Sequence, residues 1–405
     1  MSAGRIFLNA CGLVTPFGRT AGTAAGLFAG REDALCWRDD LLDGRRVPVG
    51  AVTEDLPAVP EALAAYGSRN NRLMLAALDE VRPAVAAAVA RWGADRVAVI
   101  LGTSTSGIAD GEAALARLRR QGAWPVSYDY RQQELGGLAE FAARALALTG
   151  PAYTIGTACA SSSKVFAAAR RLIRAGLADA AVVGGADTLC RMTLSGFASL
   201  QALSARRCNP FSRNRDGITI GEGAAAFLMT REPGPVELLG LGETSDAHHP
   251  TSPDPEGAGA RDAILAALAD AGLAPSHIGY INLHGTATPQ NDAMESRVVA
   301  ALFGGRVPCS STKPLTGHML GATGGCEAGF LWLMLAMQDP CPALPPHLWD
   351  GQPDPDLPGL HLARPGDRLA PGAAVLNNTF GFAGSNVALV LGRPRERVPG
   401  ELVPA

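Results

Sequence analysis

The chain has 405 residues, of which 47% are hydrophobic and 18% charged, so it can bury a large core and is not a disordered protein. Its net charge of −3 gives no general attraction to nucleic acid or to an anionic membrane, and we expect neither as a partner. Its eight cysteines show no CxxC spacing and its first residues no signal-peptide pattern, so we expect a cytoplasmic protein.

Short apolar strands alternate with alanine-rich helices along the chain, a pattern that predicts an α/β fold. One series of elements occurs twice, beginning at Asn71 and again at Arg261: a helix, a polar turn, a buried strand and a loop rich in Gly and Thr. Each series continues through a turn of small residues into a long helix and closes with a similar strand. The matched order predicts an ancient duplication, with halves at residues 1–235 and 236–405.

Cys159 is a candidate nucleophile. It lies in the turn Thr157-Ala-Cys-Ala-Ser-Ser-Ser, between the end of an apolar strand and the start of an alanine-rich helix. The free N–H groups and the dipole of a helix N-terminus favour a thiolate, and the sharp turn resembles the nucleophile elbow of hydrolases. A buried cysteine that only fills space is the alternative, which suits the remaining cysteines in apolar surroundings. These are Cys11, Cys190, Cys309 and Cys326.

Two histidines strengthen the case for an active site. His284 follows the apolar strand Tyr280-Ile-Asn-Leu, at the end of a strand where ligands bind in α/β sheets. His318 lies in a turn of the second half that matches the Cys159 turn of the first. The duplication would bring these two turns together, with His284 beside them. The histidines lack the i,i+4 spacing of common metal sites, so we predict no metal.

Four longer motifs occur in the chain in a fixed order: Asn9-Ala-Cys-Gly-Leu-Val-Thr-Pro-Phe-Gly, Arg215-Asp-Gly-Ile-Thr-Ile-Gly-Glu-Gly-Ala, Asp246-Ala-His-His-Pro-Thr-Ser-Pro and Asn378-Thr-Phe-Gly-Phe-Ala-Gly-Ser-Asn. With them, almost the whole chain resembles the β-ketoacyl–acyl-carrier-protein synthases of the synthase I/II type, elongating condensing enzymes of the thiolase superfamily. The resemblance implies a duplicated thiolase-like fold of five α-β-α-β-α layers, usually in a dimer.

The resemblance also implies the reaction and the partners. Cys159 would accept an acyl chain, and His284 and His318 would drive decarboxylation of a malonyl unit in fatty-acid or polyketide elongation. The enolate that forms needs hydrogen-bond donors, which two neutral imidazoles can supply. The partners implied are an acyl carrier protein, acyl and malonyl thioesters, and a second identical or related subunit. The carrier protein brings the 4′-phosphopantetheine arm, so we expect no cofactor on this chain.

Further residues match family positions around this centre. Lys313 matches a lysine near the second histidine, Glu327 its carboxylate partner, and Asp292 a second acidic neighbour, so we expect Lys313 to contact both carboxylates. Phe382 matches a gate phenylalanine whose N–H joins that of Cys159 in an oxyanion hole. The threonines assigned to the pantetheine arm are Thr251, Thr286 and Thr288.

Docking of an acidic carrier protein needs a local basic patch, because the overall charge offers no attraction. Two pairs of arginines are predicted to form it. They are Arg69 and Arg72, on one face of a predicted helix, and Arg206 and Arg207, before a turn.

The chain departs from the family pattern at three positions, with Lys164 in place of a common histidine, Ile218 in place of phenylalanine, and Ala383 in place of glycine. These departures favour a specialised polyketide or polyene pathway, and the role of Lys164 stays open. Three alternatives are considered. A chain-length-determining subunit would lack the nucleophilic cysteine, a thiolase would carry a second catalytic cysteine, and a Cys–His hydrolase would leave the second histidine unexplained.

Overall fold

The computed structural model describes residues 4–394. The strands are β1 (Phe7–Thr15), β2 (Gly18–Arg19), β3 (Cys36–Arg38), β4 (Val47–Gly50), β5 (Val97–Gly102), β6 (Ala152–Ile155), β7 (Ala180–Asp187), β8 (Ile220–Gly221), β9 (Gly223–Thr230), β10 (Val236–Ser245), β11 (Ile278–Asn282), β12 (Cys309–Ser310), β13 (Ala374–Gly381) and β14 (Ser385–Gly392). The α-helices are α1 (Thr20–Phe28), α2 (Arg69–Trp92), α3 (Ile108–Gln121), α4 (Gly137–Ala145), α5 (Ser161–Arg174), α6 (Arg191–Ser199), α7 (Ala258–Ala271), α8 (Pro289–Phe303), α9 (Lys313–Thr316) and α10 (Thr323–Ala336). None of the helices in residues 4–394 is both long enough and apolar enough to cross a bilayer.

The strand order shows how the chain repeats itself. The main sheet runs β12-β11-β13-β14-β10-β1-β9-β7-β5-β6. In the first half β5 is parallel to β6 and β7, while β9 is antiparallel to β7 and β1. In the second half β11 is parallel to β12 and β13, while β14 is antiparallel to β13 and β10. With the strands numbered in chain order within each half, both halves have the order 3-2-4-5-1, so the second repeats the topology of the first.

Helices separate and cover the two halves of the sheet. Helices α5 and α10 pack against each other in the middle, α2 covers the outer face of the first half, and α7 that of the second. The side chains of β5 point alternately to the two faces of the sheet, as this arrangement requires. Ala98 and Ile100 join the central core, while Val97 and Val99 pack in the core beneath α2. The predicted α/β fold is confirmed, with helical layers alternating with sheet layers as the resemblance implied.

The repeat brings the proposed catalytic turns together. Cys159 lies between β6 and α5, and His318 occupies the corresponding place in the second half, between β12 and α10. His284 follows β11 and Phe382 follows β13, so both leave the sheet at carboxyl ends of parallel strands. These ends form the edge where α/β proteins bind ligands.

Candidate active site

The Cys159 thiol lies in a tight turn just before α5. Ala158 has a left-handed backbone, with φ of 49°, so the chain bends sharply before the cysteine. The thiol is buried, and its Sγ atom is 3.0 Å from Nε2 of His318. A nucleophile and a base within hydrogen-bond reach are the arrangement that covalent catalysis requires.

Burial sets the protonation state of this thiol. It raises the pKa of Cys159 to about 12, and the positive charge of Lys313 opposes the rise only partly. The direction is opposite to the expectation that the helix N-terminus would favour a thiolate, because burial raises the pKa of the thiol more than the backbone N–H groups lower it. The backbone N–H groups of Phe382 and Cys159 point at the sulfur, at the place where the resemblance put an oxyanion hole.

His318 is held from several sides. Its Nδ1 atom is 2.9 Å from Oγ1 of Thr323, its N–H donates to the carbonyl of Thr219 at 2.7 Å, and its carbonyl accepts from Gly221 at 2.9 Å. The ring of His284 lies edge-on to it, with 5.3 Å between the ring centroids. Burial lowers the pKa of both histidines well below the usual value, and Lys313 lowers it further. Both imidazoles are therefore neutral near pH 7.

Lys313 and Glu327 form the expected pair. Their side chains are each 1% exposed, with 2.7 Å between Nζ and Oε1. Burial raises the pKa of Glu327 to about 7, although Lys313 acts in the opposite direction. The expected contact between Lys313 and Asp292 is absent from the part of the chain that is described. Asp292 instead accepts hydrogen bonds from the N–H groups of Phe211 and Ala287, so its role is to hold the loop after His284.

Glu295 is a site residue that the sequence analysis missed. Its carboxylate accepts the N–H of His284 at 2.8 Å and that of Gly285 at 2.7 Å, and burial raises its pKa to about 7. It lies three residues after Asp292 on α8, on the same helix face. That spacing was the available signal, but a glutamate within a helix is usually a surface residue.

Two cavities adjoin Cys159. One, of about 140 Å³, is lined by both histidines and by the three threonines assigned to the pantetheine arm, Thr251, Thr286 and Thr288. The other, of about 430 Å³, has mostly apolar walls that include Phe197 and Leu320. Phe382 borders both cavities and packs on Phe197, with ring centroids 5.4 Å apart.

The loop that carries Phe382 is fastened at its next two residues. Ala383 donates its N–H to the carbonyl of Pro250 at 2.8 Å, and Gly384 accepts the N–H of Asp246 at 2.9 Å. Ala383 has φ of 61° and ψ of 19°, a left-handed conformation that costs an alanine roughly 1–2 kcal/mol. An alanine at this family glycine position therefore disfavours the observed loop conformation relative to a glycine.

The arginines predicted to dock a carrier protein divide into two groups. Arg69 forms an ion pair with buried Glu222, and Arg72 donates to the carbonyls of Leu56 and Pro57. These contacts brace the start of α2 and leave the Arg69 side chain 36% exposed, so docking by Arg69 and Arg72 stays a prediction with less support. Arg206 is exposed and lies four residues after Ala202, which lines the smaller cavity. Its neighbour Arg207 pairs with Glu32, and docking by these two stays a prediction.

Two other expectations concern metal binding and Lys164. The donor atoms of Cys159, His284 and His318 all lie within 4.8 Å of one another, a proximity that sequence spacing did not reveal. Three such atoms could contact one thiophilic metal ion, so the absence of a metal site stays a prediction. Lys164 is half-buried on α5, and its ammonium forms no hydrogen bond or ion pair within residues 4–394.

The sequence matches two family models over most of its length. Residues 56–233 match the beta-ketoacyl synthase N-terminal domain, and residues 236–347 match the beta-ketoacyl synthase C-terminal domain. A curated relative, 3-oxoacyl-acyl-carrier-protein synthase 2 of Synechocystis sp., is 32% identical over 95% of this chain and 97% of the relative. The protein of the same name in Staphylococcus aureus is 33% identical over 73% of this chain and 75% of the relative.

A solved structure extends the likeness to three dimensions. It is one chain of the complex of the ketosynthase ApeO with its chain length factor, ApeC, from Xenorhabdus doucetiae. The chain is similar to it with 46% sequence identity and a TM-score of 0.91, and the match covers 96% of this chain and 98% of that one.

Proposed function

Because the chain belongs to the β-ketoacyl synthase family, we propose that Cys159, His284 and His318 carry out its decarboxylative condensation. The enzyme joins malonyl-carrier protein to an acyl group in fatty-acid or polyketide elongation. The observation that carries the assignment of residues is the 3.0 Å contact between the Cys159 thiol and Nε2 of His318, with His284 beside it. The buried ion pair of Lys313 and Glu327 contributes to the electrostatic environment of the two imidazoles.

Acyl transfer comes first. The Cys159 sulfur attacks the thioester carbonyl of the acyl-carrier protein, and its proton passes to Nε2 of His318. The carbonyl oxygen becomes an oxyanion, which the N–H groups of Cys159 and Phe382 stabilise. When the tetrahedral intermediate collapses, the pantetheine sulfur leaves and takes a proton. A neutral thiol with an adjacent neutral base suits this step, because the thiol needs deprotonation only at the moment of attack.

Condensation follows on the acylated enzyme. The malonyl carboxylate leaves as CO₂, and its electron pair forms an enolate whose oxygen accepts hydrogen bonds from His284 and His318. The enolate carbon attacks the acyl carbonyl on Cys159, and the Cys159 sulfur leaves as a thiolate that takes a proton from solvent water. A charged carboxylate in either histidine position would repel the enolate. Losing one such donor typically costs about 2.7–4 kcal/mol of barrier.

Thr251, Thr286 and Thr288 are proposed to hold the pantetheine arm. They line the smaller cavity, which contains both histidines, and the Oγ1 atoms of Thr286 and Thr288 are 2.9 Å apart. Hydroxyl groups at this distance can bind amides of the arm as donor and acceptor. The larger, apolar cavity would then receive the acyl chain.

Docking of the carrier protein is proposed at Arg206. Arg206→Glu is expected to raise the KM for an acyl-carrier substrate and to leave turnover of a small acyl thioester nearly unchanged, because rim charges act mainly on association. The measurement is steady-state kinetics with both substrates at low and high salt. Arg91→Glu is a matched control, since Arg91 is exposed near the opposite ends of the strands, where it pairs with Glu232 and lies over the Trp92 ring. Equal loss on both substrates would contradict docking at Arg206.

A second subunit of the same fold is proposed to cover the edge strand β6. Within the described chain β6 pairs only with β5, so its other edge is open. Apolar residues are exposed on that strand and in the segment between α3 and α4, and an open apolar edge is a liability for a lone chain. They are Trp124, Val126, Tyr130, Leu135 and Tyr153. The complex of ApeO with a chain length factor supports a related rather than an identical partner.

The alternative roles have less support. A non-catalytic chain-length subunit would not require a cysteine hydrogen-bonded to His318. A thiolase would need a second cysteine where this chain has Phe382. The specialised polyketide or polyene pathway stays the preferred context, supported by the 46% identity to a chain of the complex between a ketosynthase and its chain length factor. The cytoplasmic location stays a prediction.

The substrate can be read from the acyl group that the enzyme retains. Incubation with a panel of saturated, polyunsaturated and aryl acyl-carrier proteins is expected to add one acyl mass to the peptide that contains Cys159. Intact-mass and peptide mass spectrometry measure it. A preference for conjugated chains would support the polyene context, and acylation of saturated chains alone would contradict it.

A further inference from the structure

Asp187, the last residue of β7, is a buried carboxylate outside the reaction scheme given above. It is fully buried and has no Lys, Arg or His partner within residues 4–394. Its charge is balanced by six donor groups instead. These are Oγ1 of Thr103, the N–H and Oγ of Ser104, the N–H and Oγ1 of Thr105, and the N–H of Gly321. So many bonds to one anion hold the three chain segments in a single arrangement.

The bond to Gly321 joins the two halves of the molecule. Asp187 and residues 103–105 belong to the first half, while Gly321 follows His318 by three residues in the second. Gly321 approaches so closely that an added Cβ would lie 2.7 Å from an Asp187 carboxylate oxygen. Leu320, which lies between His318 and Gly321 in the chain, has φ of 49°. This left-handed conformation persists in a leucine only where neighbouring contacts enforce it.

The same bonds also shape the larger cavity beside Cys159. Ser104, Thr105 and Leu320 line that cavity. Ser104 and Thr105 donate hydrogen bonds to Asp187, and Leu320 directly precedes Gly321, which donates another. Asp187 itself lies behind this wall. One carboxylate is therefore connected both to the histidine that contacts the thiol and to the surface that would meet the acyl chain.

We propose that Asp187 is a positioning residue that fixes the His318 loop of the second half against the loop after β5. It thereby sets the distance between His318 and Cys159 and the shape of the acyl cavity wall. The proposal rests on the proposed function for its effect on turnover, whereas its geometric part can be tested independently of activity.

The first test compares kinetics. Asp187→Asn keeps the shape of the side chain but removes its charge and places an amide N–H₂ group against hydrogen-bond donors. The kcat of this variant for condensation is expected to fall about 10²-fold, as for a misplaced catalytic group. Ser104→Ala removes one donor hydroxyl and should give a smaller fall in the same direction. Glu237→Gln is the matched control, a buried carboxylate that pairs with Arg5 at the other end of the sheet. A fall in kcat for Asp187→Asn no larger than that of the control would overturn the proposal.

The second test separates positioning from a general loss of folding. Burial is the main reason that the pKa of Cys159 is raised, and the negative charge of Asp187 adds to it. Asp187→Asn should therefore make alkylation of Cys159 by iodoacetamide faster at pH 8 while condensation becomes slower. Because a loosened fold would also expose the thiol and speed its alkylation, the melting temperature is measured alongside. Faster alkylation at an unchanged melting temperature would support the proposal, whereas slower or unchanged alkylation, or faster alkylation with a lower melting temperature, would overturn it.

The third test is a crystal structure of Asp187→Asn. The distance between Cys159 Sγ and His318 Nε2 is expected to exceed the 3.0 Å of the native chain, with residues 318–321 displaced. An unchanged distance would overturn the proposal. Failure of the native enzyme to condense malonyl-carrier protein would instead overturn the proposed function, and the alkylation and distance tests would still decide the role of Asp187.

Discussion

Cys159→Ala is expected to abolish condensation, with a loss on the order of 10⁶-fold in kcat, as when a covalent nucleophile is removed. The sulfur is the atom that would carry the acyl chain, and no other thiol in residues 4–394 is hydrogen-bonded to an imidazole ring. The measurement is elongation of an acyl thioester by malonyl-carrier protein, followed by mass spectrometry of the product.

Two comparisons sharpen this result. Cys208→Ala is a matched control, because Cys208 is also buried, and burial raises its pKa to about 11, yet it contacts neither histidine. It should retain turnover. Decarboxylation of malonyl-carrier protein is expected to persist in Cys159→Ala, because that step depends on His284 and His318. Continued elongation by Cys159→Ala would refute the assignment of the nucleophile.

The reactivity of Cys159 should also depend steeply on pH. Since burial raises the pKa of this thiol to about 12, it is protonated at neutral pH, and its thiolate fraction grows about tenfold per pH unit below that value. The rate of alkylation by iodoacetamide is therefore expected to rise from pH 6 to pH 9 without a plateau. A plateau near pH 7 would indicate a thiolate–imidazolium pair instead.

The sequence was sufficient for the nucleophile and both histidines because each lies at the end of a strand within a repeated pattern. Equivalent turns of the two repeated halves lie close together in the fold, so the sequence could place two residues that are 159 positions apart in one site. The four longer motifs then gave the family and, through it, Lys313, Glu327 and Phe382.

The remaining parts of the site depend on contacts that no spacing specifies. Glu295 binds mainly backbone N–H groups, and Asp187 binds hydroxyl and N–H groups of loops from both halves, so neither has a charged partner that a motif would reveal. Arg69 shows how a sequence pattern can miss a buried partner. Its place on a helix face suggested an exposed docking residue, but its partner Glu222 lies 153 residues away and is buried. The thiolate expectation failed for the same reason, because the degree of burial is set by the tertiary structure.

Lys313→Ala is expected to reduce both stability and turnover. Removing one partner of a buried ion pair leaves the other uncompensated and typically costs about 3–5 kcal/mol. The loss of stability should depend on pH, because protonation of Glu327 removes its uncompensated charge. Burial already raises the pKa of this carboxyl to about 7, and loss of Lys313 raises it further. The folded state then binds the proton more tightly than the unfolded state, so the stability of Lys313→Ala should fall as pH rises from 6 to 8.

A double variant separates the structural from the catalytic role of Lys313. Lys313→Met with Glu327→Gln replaces the pair by neutral side chains of similar volume, and such replacements often restore stability. We expect the melting temperature to recover but turnover to stay low, because the positive charge that lowers the pKa of His284 and His318 is still missing. Arg170→Ala is the control, since Arg170 pairs with Asp270 away from the site and should lose stability alone. If turnover recovered together with the melting temperature, Lys313 would be structural, and the neutral state of the imidazoles would follow from burial alone.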